Sequence, residues 1–143
     1  MSTLEARAQR LATRAHADQV DKAGEPYVGH LERVAGQVTT EEAKVVAWLH
    51  DVIEDCGLGM SDLLAAGIPS HVATAVVAVN RQPEEDSESY YRRVRANPLA
   101  LQVKAADIAD NTDPARLAVL DEPTRERLIQ KYETARRLLG LPA

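Results

Sequence analysis

Apolar residues recur three or four positions apart along most of this chain, and no segment shows the strict alternation of a half-buried β-strand. The 143 residues include no Phe, one Trp and four Tyr, so Leu, Val, Ile and Ala must supply nearly all of the core packing. An alanine-rich and leucine-rich composition favours helices over a sheet. We therefore expect a single all-α domain over residues 1–143, folded as an orthogonal helical bundle.

Glycine, proline and capping residues divide this pattern into separate helices. The expected helices run from Thr3 to Val20, from His30 to Val38, from a cap at Thr39 or Thr40 to just before Gly57, from Ser61 to Gly67, from Pro69 to Val79, over 88–96 and 98–110, and from Glu122 to Leu139. The polar segment from Asn80 to Ser87 is expected to form a loop. Asp113 and Pro114 match a helix cap followed by a proline at the first helical position.

The overall composition argues against several classes of protein. Cys56 is the only cysteine, so one chain can form neither an internal disulfide nor a thiolate metal cluster. The N-terminus does not resemble a signal peptide, and no apolar run approaches the ~20 residues that span a bilayer. We therefore expect a cytoplasmic protein without membrane contact. The net charge of −5 argues against a nucleic-acid binder but allows a small anionic substrate. The sequence does not decide whether the chain forms a homo-oligomer.

The segment WLHDVIEDCG, residues 48–57, places four polar residues on an otherwise apolar helix. They are His50, Asp51, Glu54 and Asp55, and their spacings of three and four residues bring the side chains together on a helix surface. Three carboxylates then crowd near the negative end of the helix dipole, which is unfavourable unless a cation offsets their charge. The alternative is that these acids form the solvated end of a helix.

A second polar group lies in the Ala-rich segment 99–113. Lys104, Asp107 and Asn111 fall on one helix face, where they could form a Lys104–Asp107 salt bridge or part of a binding site. The spacing does not separate these two interpretations. His30 stands at a helix start, where a lone histidine is more often a surface residue. Two histidine nitrogens and two aspartate oxygens would suit Mn²⁺, Fe²⁺, Co²⁺ or Zn²⁺ better than Ca²⁺.

Three blocks of the sequence, taken together, resemble a known family. They read A-H-A-D-Q-V-D-K-A-G-E-P-Y-V-G-H-L-E-R-V-A, W-L-H-D-V-I-E-D and V-K-A-A-D-I-A-D-N, and they occur in the family's order over roughly residues 8–113. The family is the HD-type hydrolase domain of the RelA/SpoT alarmone enzymes and of the stand-alone small alarmone hydrolases, within the HD superfamily of metal-dependent phosphohydrolases. The resemblance implies an all-α HD-type bundle and removal of the 3′-pyrophosphate from guanosine tetra- or pentaphosphate.

The resemblance also implies roles for particular residues. By it, His30, His50, Asp51 and Asp107 match the metal ligands, with Mn²⁺ the usual ion and other first-row divalent ions or Mg²⁺ as alternatives. Glu54 and Asp55 match the acidic pair that activates and orients the attacking water. Lys22 matches a basic residue near the nucleotide, and Asn111 matches a polar residue beside the substrate.

The chain departs from the family at two positions where a basic residue is usual, which here are Asp21 and Ile108. Four arginines could compensate or could be ordinary surface charge: Arg81, Arg92, Arg93 and Arg95. The departures motivate two alternatives, which are a hydrolase for another nucleotide or deoxynucleotide and a non-catalytic nucleotide sensor that retains the metal. The Glu54–Asp55 pair argues against the sensor, which would not need to activate water.

Three further residues have expected roles outside the ligand set. His16 is expected to pack or to form hydrogen bonds on the first helix and not to bind metal. His71 lies on a helix without a partner motif and is expected to be structural. Tyr27 could line the substrate pocket or fix the turn that precedes it, and the sequence does not separate these roles.

Overall fold

The computed structural model describes residues 3–142, and this part of the chain forms ten helices and no regular β-strand. The helices are α1 (Leu4–Ala15), α2 (Tyr27–Gly36), α3 (Glu41–Leu49), α4 (Val52–Cys56), α5 (Met60–Ala65), α6 (Ser70–Val79), α7 (Ser87–Arg95), α8 (Pro98–Asn111), α9 (Pro114–Ala118) and α10 (Glu122–Leu139). Between α1 and α2, Val20 and Pro26 form an isolated antiparallel bridge. The predicted all-α class is confirmed.

Side-chain caps fix the starts of six helices. Each cap accepts a hydrogen bond from a backbone amide in the first turn, which would otherwise lack a partner. The six caps are Thr3, Thr40, Asp86, Asn97, Asp113 and Asp121. Thr40, and not Thr39, caps α3. The predicted cap at Asp113 and the proline in the first turn at Pro114 are both present.

Helix α3 lies at the centre of the bundle, against α1, α2, α6 and α8. Its residues Ala43, Val45, Val46 and Leu49 are fully buried, which explains why its sequence is apolar on almost every face. Helix α8 in turn packs against α2, α3, α6 and α7. The end of α3 and the middle of α8 are therefore neighbours, and this packing positions the candidate site.

The predicted first helix is too long. It ends at Ala15 and not at Val20, because the backbone turns and forms other hydrogen bonds. The Gln19 amide donates to the His16 carbonyl at 3.0 Å, and the Gln19 carbonyl accepts from the Tyr27 amide at 2.9 Å. Helix α2 accordingly begins at Tyr27, directly after Pro26, and His30 lies one turn inside it.

The predicted third helix is interrupted. It was expected to continue to Gly57, but α3 ends at Leu49 and α4 starts at Val52. Asp51 leaves the helical conformation, with φ −117° and ψ 4°, and α4 ends at Gly57 in the left-handed region with φ 73°. The apolar positions on both sides of the break remain buried, so the periodic pattern hides it. The predicted second helix begins three residues later and ends two residues later than α2, and the remaining predicted helices agree with the structure to within two residues.

Candidate active site

The four predicted metal ligands come together in the structure. His30, His50, Asp51 and Asp107 each offer one nitrogen or oxygen, and these atoms all lie within 4.8 Å of one another. His30 Nε2 is 2.9 Å and His50 Nε2 is 3.1 Å from the same Asp107 oxygen, Oδ1. Helix α2 supplies the first residue, the α3–α4 junction supplies the next two, and α8 supplies the last. The cluster can hold a divalent cation.

The chemistry of the cluster fits such an ion. His30, His50 and Asp107 are each no more than 4% exposed, while the Asp51 side chain is 20% exposed and borders the pocket. His50 Nδ1 lies 2.7 Å from the Ala47 carbonyl, which can only accept a hydrogen bond, so Nδ1 carries the proton and Nε2 faces the cluster. Burial opposes the ionisation of Asp107, but Lys104 and the two histidines outweigh it and hold the pKa of this carboxyl well below its ordinary value. Two nitrogens and two carboxylates suit a first-row divalent ion.

Glu54 lies on α4 and borders the pocket in front of this cluster. Its Oε1 accepts a hydrogen bond from the Arg81 amide at 2.5 Å. Its own amide donates to the Asn80 side chain at 3.1 Å, and Asn80 is tied to the end of α6 through the Val76 carbonyl. Burial raises the pKa of Glu54, while the hydrogen bond from Arg81 opposes the shift.

Asp55 borders the same pocket and is held from the other side, by the turn that follows α1. Gln19 Nε2 donates to Asp55 Oδ2 at 2.9 Å, and Gln19 Oε1 lies 2.6 Å from Nδ1 of the buried His16. His16 therefore forms hydrogen bonds and lies outside the ligand cluster, in line with its predicted role. The two acidic side chains are thus fixed by separate elements of the fold.

A pocket of about 370 Å³ opens in front of the cluster. The five residues predicted to contact a substrate all line it: Lys22, Tyr27, Arg81, Lys104 and Asn111. Further cations come from Arg116 and Lys131, and three more tyrosines complete the wall: Tyr90, Tyr91 and Tyr132. The pocket therefore combines acidic groups, basic groups and aromatic surface.

Several of these side chains contact the cluster itself. Lys104 Nζ lies 3.0 Å from Asp107 Oδ2, so the salt bridge left open by the sequence is present, and Lys104 borders the pocket as well. Asn111 Nδ2 donates to Asp107 Oδ1 at 3.1 Å. The Tyr27 hydroxyl donates to Asp51, so Tyr27 both lines the pocket and restrains a ligand.

Three of the four arginines considered as compensating cations lie outside the pocket. Arg92 pairs with Glu88 on the exposed face of α7. Arg93 binds Glu85, and Arg95 lies against Gly140. Of these four residues, Arg81 alone lines the pocket, where its guanidinium carbon sits 4.9 Å from the centre of the Tyr90 ring.

Neither His71, which is expected to be structural, nor Ile108 lines the pocket. His71 is exposed and pairs with Glu42 on the surface. Ile108 is 1% exposed and packs in the core, and it does not line the pocket.

The sequence interpretation missed several residues that support the site. Asn80 and Asp110 are buried polar residues within apolar segments, and that contrast could have marked them. Gln19 lies within a block that was otherwise recognised. Arg116 and Lys131 carry no local signal, because short α9 and amphipathic α10 place them at the pocket only through the tertiary fold.

The chain is similar in sequence to known proteins. No protein-family model matches the chain. It is 30% identical over 133 residues to a guanosine-3′,5′-bis(diphosphate) 3′-pyrophosphohydrolase of Vibrio cholerae, covering 85% of this chain and 19% of the relative. It is 29% identical over 128 residues to a probable enzyme of the same name from Synechocystis, covering 81% and 17%. The chain thus spans less than a fifth of the length of these relatives.

A solved structure shares the fold. It is described as a metazoan ortholog of SpoT that hydrolyses ppGpp and plays a role in starvation responses. The TM-score is 0.78 at 23% identity, with 97% of this chain and 86% of that chain covered. The fold defines the chain as an all-helical HD-type domain. The resemblance predicted from the three sequence blocks is confirmed, because the chain is similar in sequence to these named pyrophosphohydrolases.

Within the described residues, 3–142, no helix is both long and apolar enough to cross a membrane.

Proposed function

We propose that the chain is a metal-dependent phosphohydrolase that removes the 3′-pyrophosphate from guanosine 3′,5′-bis(diphosphate). The observation that carries this proposal is the position of a two-histidine, two-aspartate cluster beside a pocket that Glu54, Asp55 and several cations line. The names of the relatives from Vibrio cholerae and Synechocystis support the choice of substrate.

In this proposal His30, His50, Asp51 and Asp107 hold the ion, with Mn²⁺ as the first candidate. When bound, such an ion polarises a phosphoryl oxygen and lowers the pKa of a water molecule. The chain's own residues restrain the ligands: Tyr27 holds Asp51, and Lys104 and Asn111 hold Asp107. The ligand set is therefore organised before any substrate arrives.

Glu54 is suited to accept the proton of the attacking water. Its partial burial raises its pKa toward neutral pH, where a general base works best. Because one of its oxygens already accepts the Arg81 amide, the carboxylate is held in a fixed orientation and the other oxygen can take the proton. Asp55, fixed by Gln19, would orient the same water.

Three of the pocket's cations lie toward the two ends of one stretch of α8. Arg116 contacts Asn111 at one end, and Arg81 and Lys104 both face the Tyr90 ring at the other. Positions 104 and 111 are roughly 10 Å apart along the helix axis, because each residue advances it by about 1.5 Å. Asp107 lies between them. This arrangement suits a substrate that carries phosphate groups on both sides of the reacting bond.

Turnover of guanosine tetraphosphate by the purified protein tests the proposal. With Mn²⁺ added, release of pyrophosphate is expected, and His50→Ala should lose both bound metal and activity. Asp62→Asn, on the exposed surface of α5, is the matched control and should keep both. No release of phosphate or pyrophosphate with Mn²⁺, Co²⁺ or Mg²⁺ would contradict the proposal.

A second candidate is hydrolysis of another nucleotide or a deoxynucleotide. Asp21 favours it, since this acidic residue stands beside Lys22 at the pocket where alarmone hydrolases usually have a basic one. Relative kcat/KM values for guanosine tetraphosphate and a panel of ribo- and deoxynucleotides would decide between the two substrates.

A further inference from the structure

Behind His30, on the side of the ring away from Asp107, lies a second buried carboxylate. Asp110 Oδ2 is 2.6 Å from His30 Nδ1, while His30 Nε2 is 2.9 Å from Asp107. The Asp110 side chain is only 5% exposed. The imidazole is therefore held by a carboxylate at each nitrogen, one in the candidate metal cluster and one behind it.

Two guanidinium groups hold Asp110 in this position. Arg33 Nε donates to Asp110 Oδ1 at 2.8 Å, and Arg116 Nη1 donates to Asp110 Oδ2 at 2.6 Å. Removing a carboxylate from water is costly unless it is paired and hydrogen-bonded, and two cations meet that condition here. Asp110 is thus an ionised acceptor, which requires His30 to present a proton at Nδ1 and leaves Nε2 as the nitrogen that can bind an ion.

Arg116 is itself held from its other side by Asp21. Its Nη2 donates to Asp21 Oδ2 at 3.0 Å. Asp21 Oδ1 accepts the amides of Ala23 at 2.9 Å and Glu25 at 3.0 Å, so its side chain is locked into the turn before α2. The contacts form a chain from His30 through Asp110 and Arg116 to Asp21, which connects four segments of the fold.

This arrangement explains why an acidic residue stands at a pocket that otherwise suits anions. Only 7% of the Asp21 side chain is exposed, and its charge is paired with Arg116. The same guanidinium also donates to Asn111 Oδ1 at 3.2 Å. Asp21 therefore orders a cation at the pocket wall, and it does not simply add negative charge.

We propose that Asp110, held in place by Arg116 and Asp21, is a positioning residue that fixes the tautomer and ring orientation of His30 and thereby sets the affinity of the cluster for its divalent ion. This inference rests on the metal site of the proposed function. A carboxylate bonded to the outer nitrogen of a ligating histidine fixes its orientation and raises its basicity, and its loss typically weakens metal binding about 10–100-fold.

Mn²⁺ affinity, measured by calorimetry on the purified protein without nucleotide, tests the proposal. Asp110→Asn should bind Mn²⁺ about 10–100-fold more weakly than the unmodified protein. Asp21→Asn, which leaves Asp110 in place, should weaken binding less, and Asp62→Asn should not change it. Circular dichroism of each metal-free variant confirms that it is folded. A folded Asp110→Asn protein with unchanged Mn²⁺ affinity overturns the proposal.

A measurement on the unmodified protein covers the case in which Asp110→Asn does not fold. Nitrogen-15 spectra of the Zn²⁺-loaded protein should show His30 protonated at Nδ1 and metal-bound at Nε2. Coordination through Nδ1 would overturn the proposal. A protein that binds Mn²⁺ as expected but hydrolyses no nucleotide would contradict the proposed function and leave this inference standing.

Discussion

Each residue of the candidate metal cluster has a second contact outside it. His50 is held by the Ala47 carbonyl, Asp51 by Tyr27, and Asp107 by Lys104 and Asn111. Such outer contacts fix ligand orientation before the ion binds, which is what a functional site needs from its surroundings. These outer contacts therefore explain why the cluster is organised, and why replacing one of its members also affects the residues that hold it.

Asp107→Ala is expected to destabilise the protein as well as to abolish Mn²⁺ binding. Lys104 would remain buried without its carboxylate partner, and removing one partner of a buried ion pair costs about 3–5 kcal/mol. Urea unfolding of the metal-free proteins measures the change. The double variant Lys104→Met with Asp107→Ala should recover much of the free energy of unfolding without recovering metal binding. Equal stability of the single variant and the original protein would contradict this prediction.

Glu54→Gln is expected to lower kcat by roughly 10²–10⁴-fold, the range over which general bases contribute. Mn²⁺ affinity should stay unchanged, because Glu54 is not one of the four clustered residues. Calorimetry and steady-state kinetics measure the two effects separately. An unchanged kcat would remove Glu54 from the mechanism.

The same residue should set the acid side of the pH profile. Glu54 must be ionised to accept a proton, and burial raises its pKa, so kcat should fall as the pH drops through a value above the ordinary glutamate range. The Asp55→Asn variant should be less active but should show the same fall in kcat at low pH. An acid limb at the ordinary pKa of a glutamate would show that Glu54 is not the base.

At the scale of elements, the sequence predicted most helices but not how they meet. Local signals sufficed where a cap or proline marks a boundary, as for α9 and α10. They failed at Asp51, because a break within a buried helix leaves the apolar spacing intact. The ligand set came from a resemblance, while Arg116 and Lys131 reach the pocket only through contacts between distant segments that no local pattern encodes.

Asn80 joins the end of α6 to the start of α4, and its loss should affect activity through Glu54. Asn80→Ala leaves the Glu54 amide without its acceptor, which costs about 1–3 kcal/mol for a buried group. We expect kcat to fall severalfold with little change in KM. Asn97→Ala, which removes the cap of α8, should cost about 1 kcal/mol without this loss of kcat. If the Asn80→Ala and Asn97→Ala variants had the same effect on kcat, the role of Asn80 would be structural only.

At the scale of the whole molecule, the net charge of −5 coexists with a pocket that gathers cations. Lys22, Arg81, Arg116 and Lys131 come from four different segments, and with Lys104 they balance the five carboxylates that line the same pocket. A bound divalent cation would make this recess positive, and the local charge there governs the capture of a small anion.

The ligands of the cluster lie far apart in the chain, so only the folded molecule brings them together and a bound ion must stabilise it globally. At a free Mn²⁺ concentration of 100 times Kd, the stabilisation is about 2.7 kcal/mol. For a domain of this size we expect thermal unfolding to shift upward by roughly 10 °C. Ca²⁺, which prefers oxygen ligands, should shift it less. His30→Ala should abolish the Mn²⁺ shift, and Asp62→Asn should retain it. A shift that survived in His30→Ala would place the stabilising ion elsewhere on the molecule.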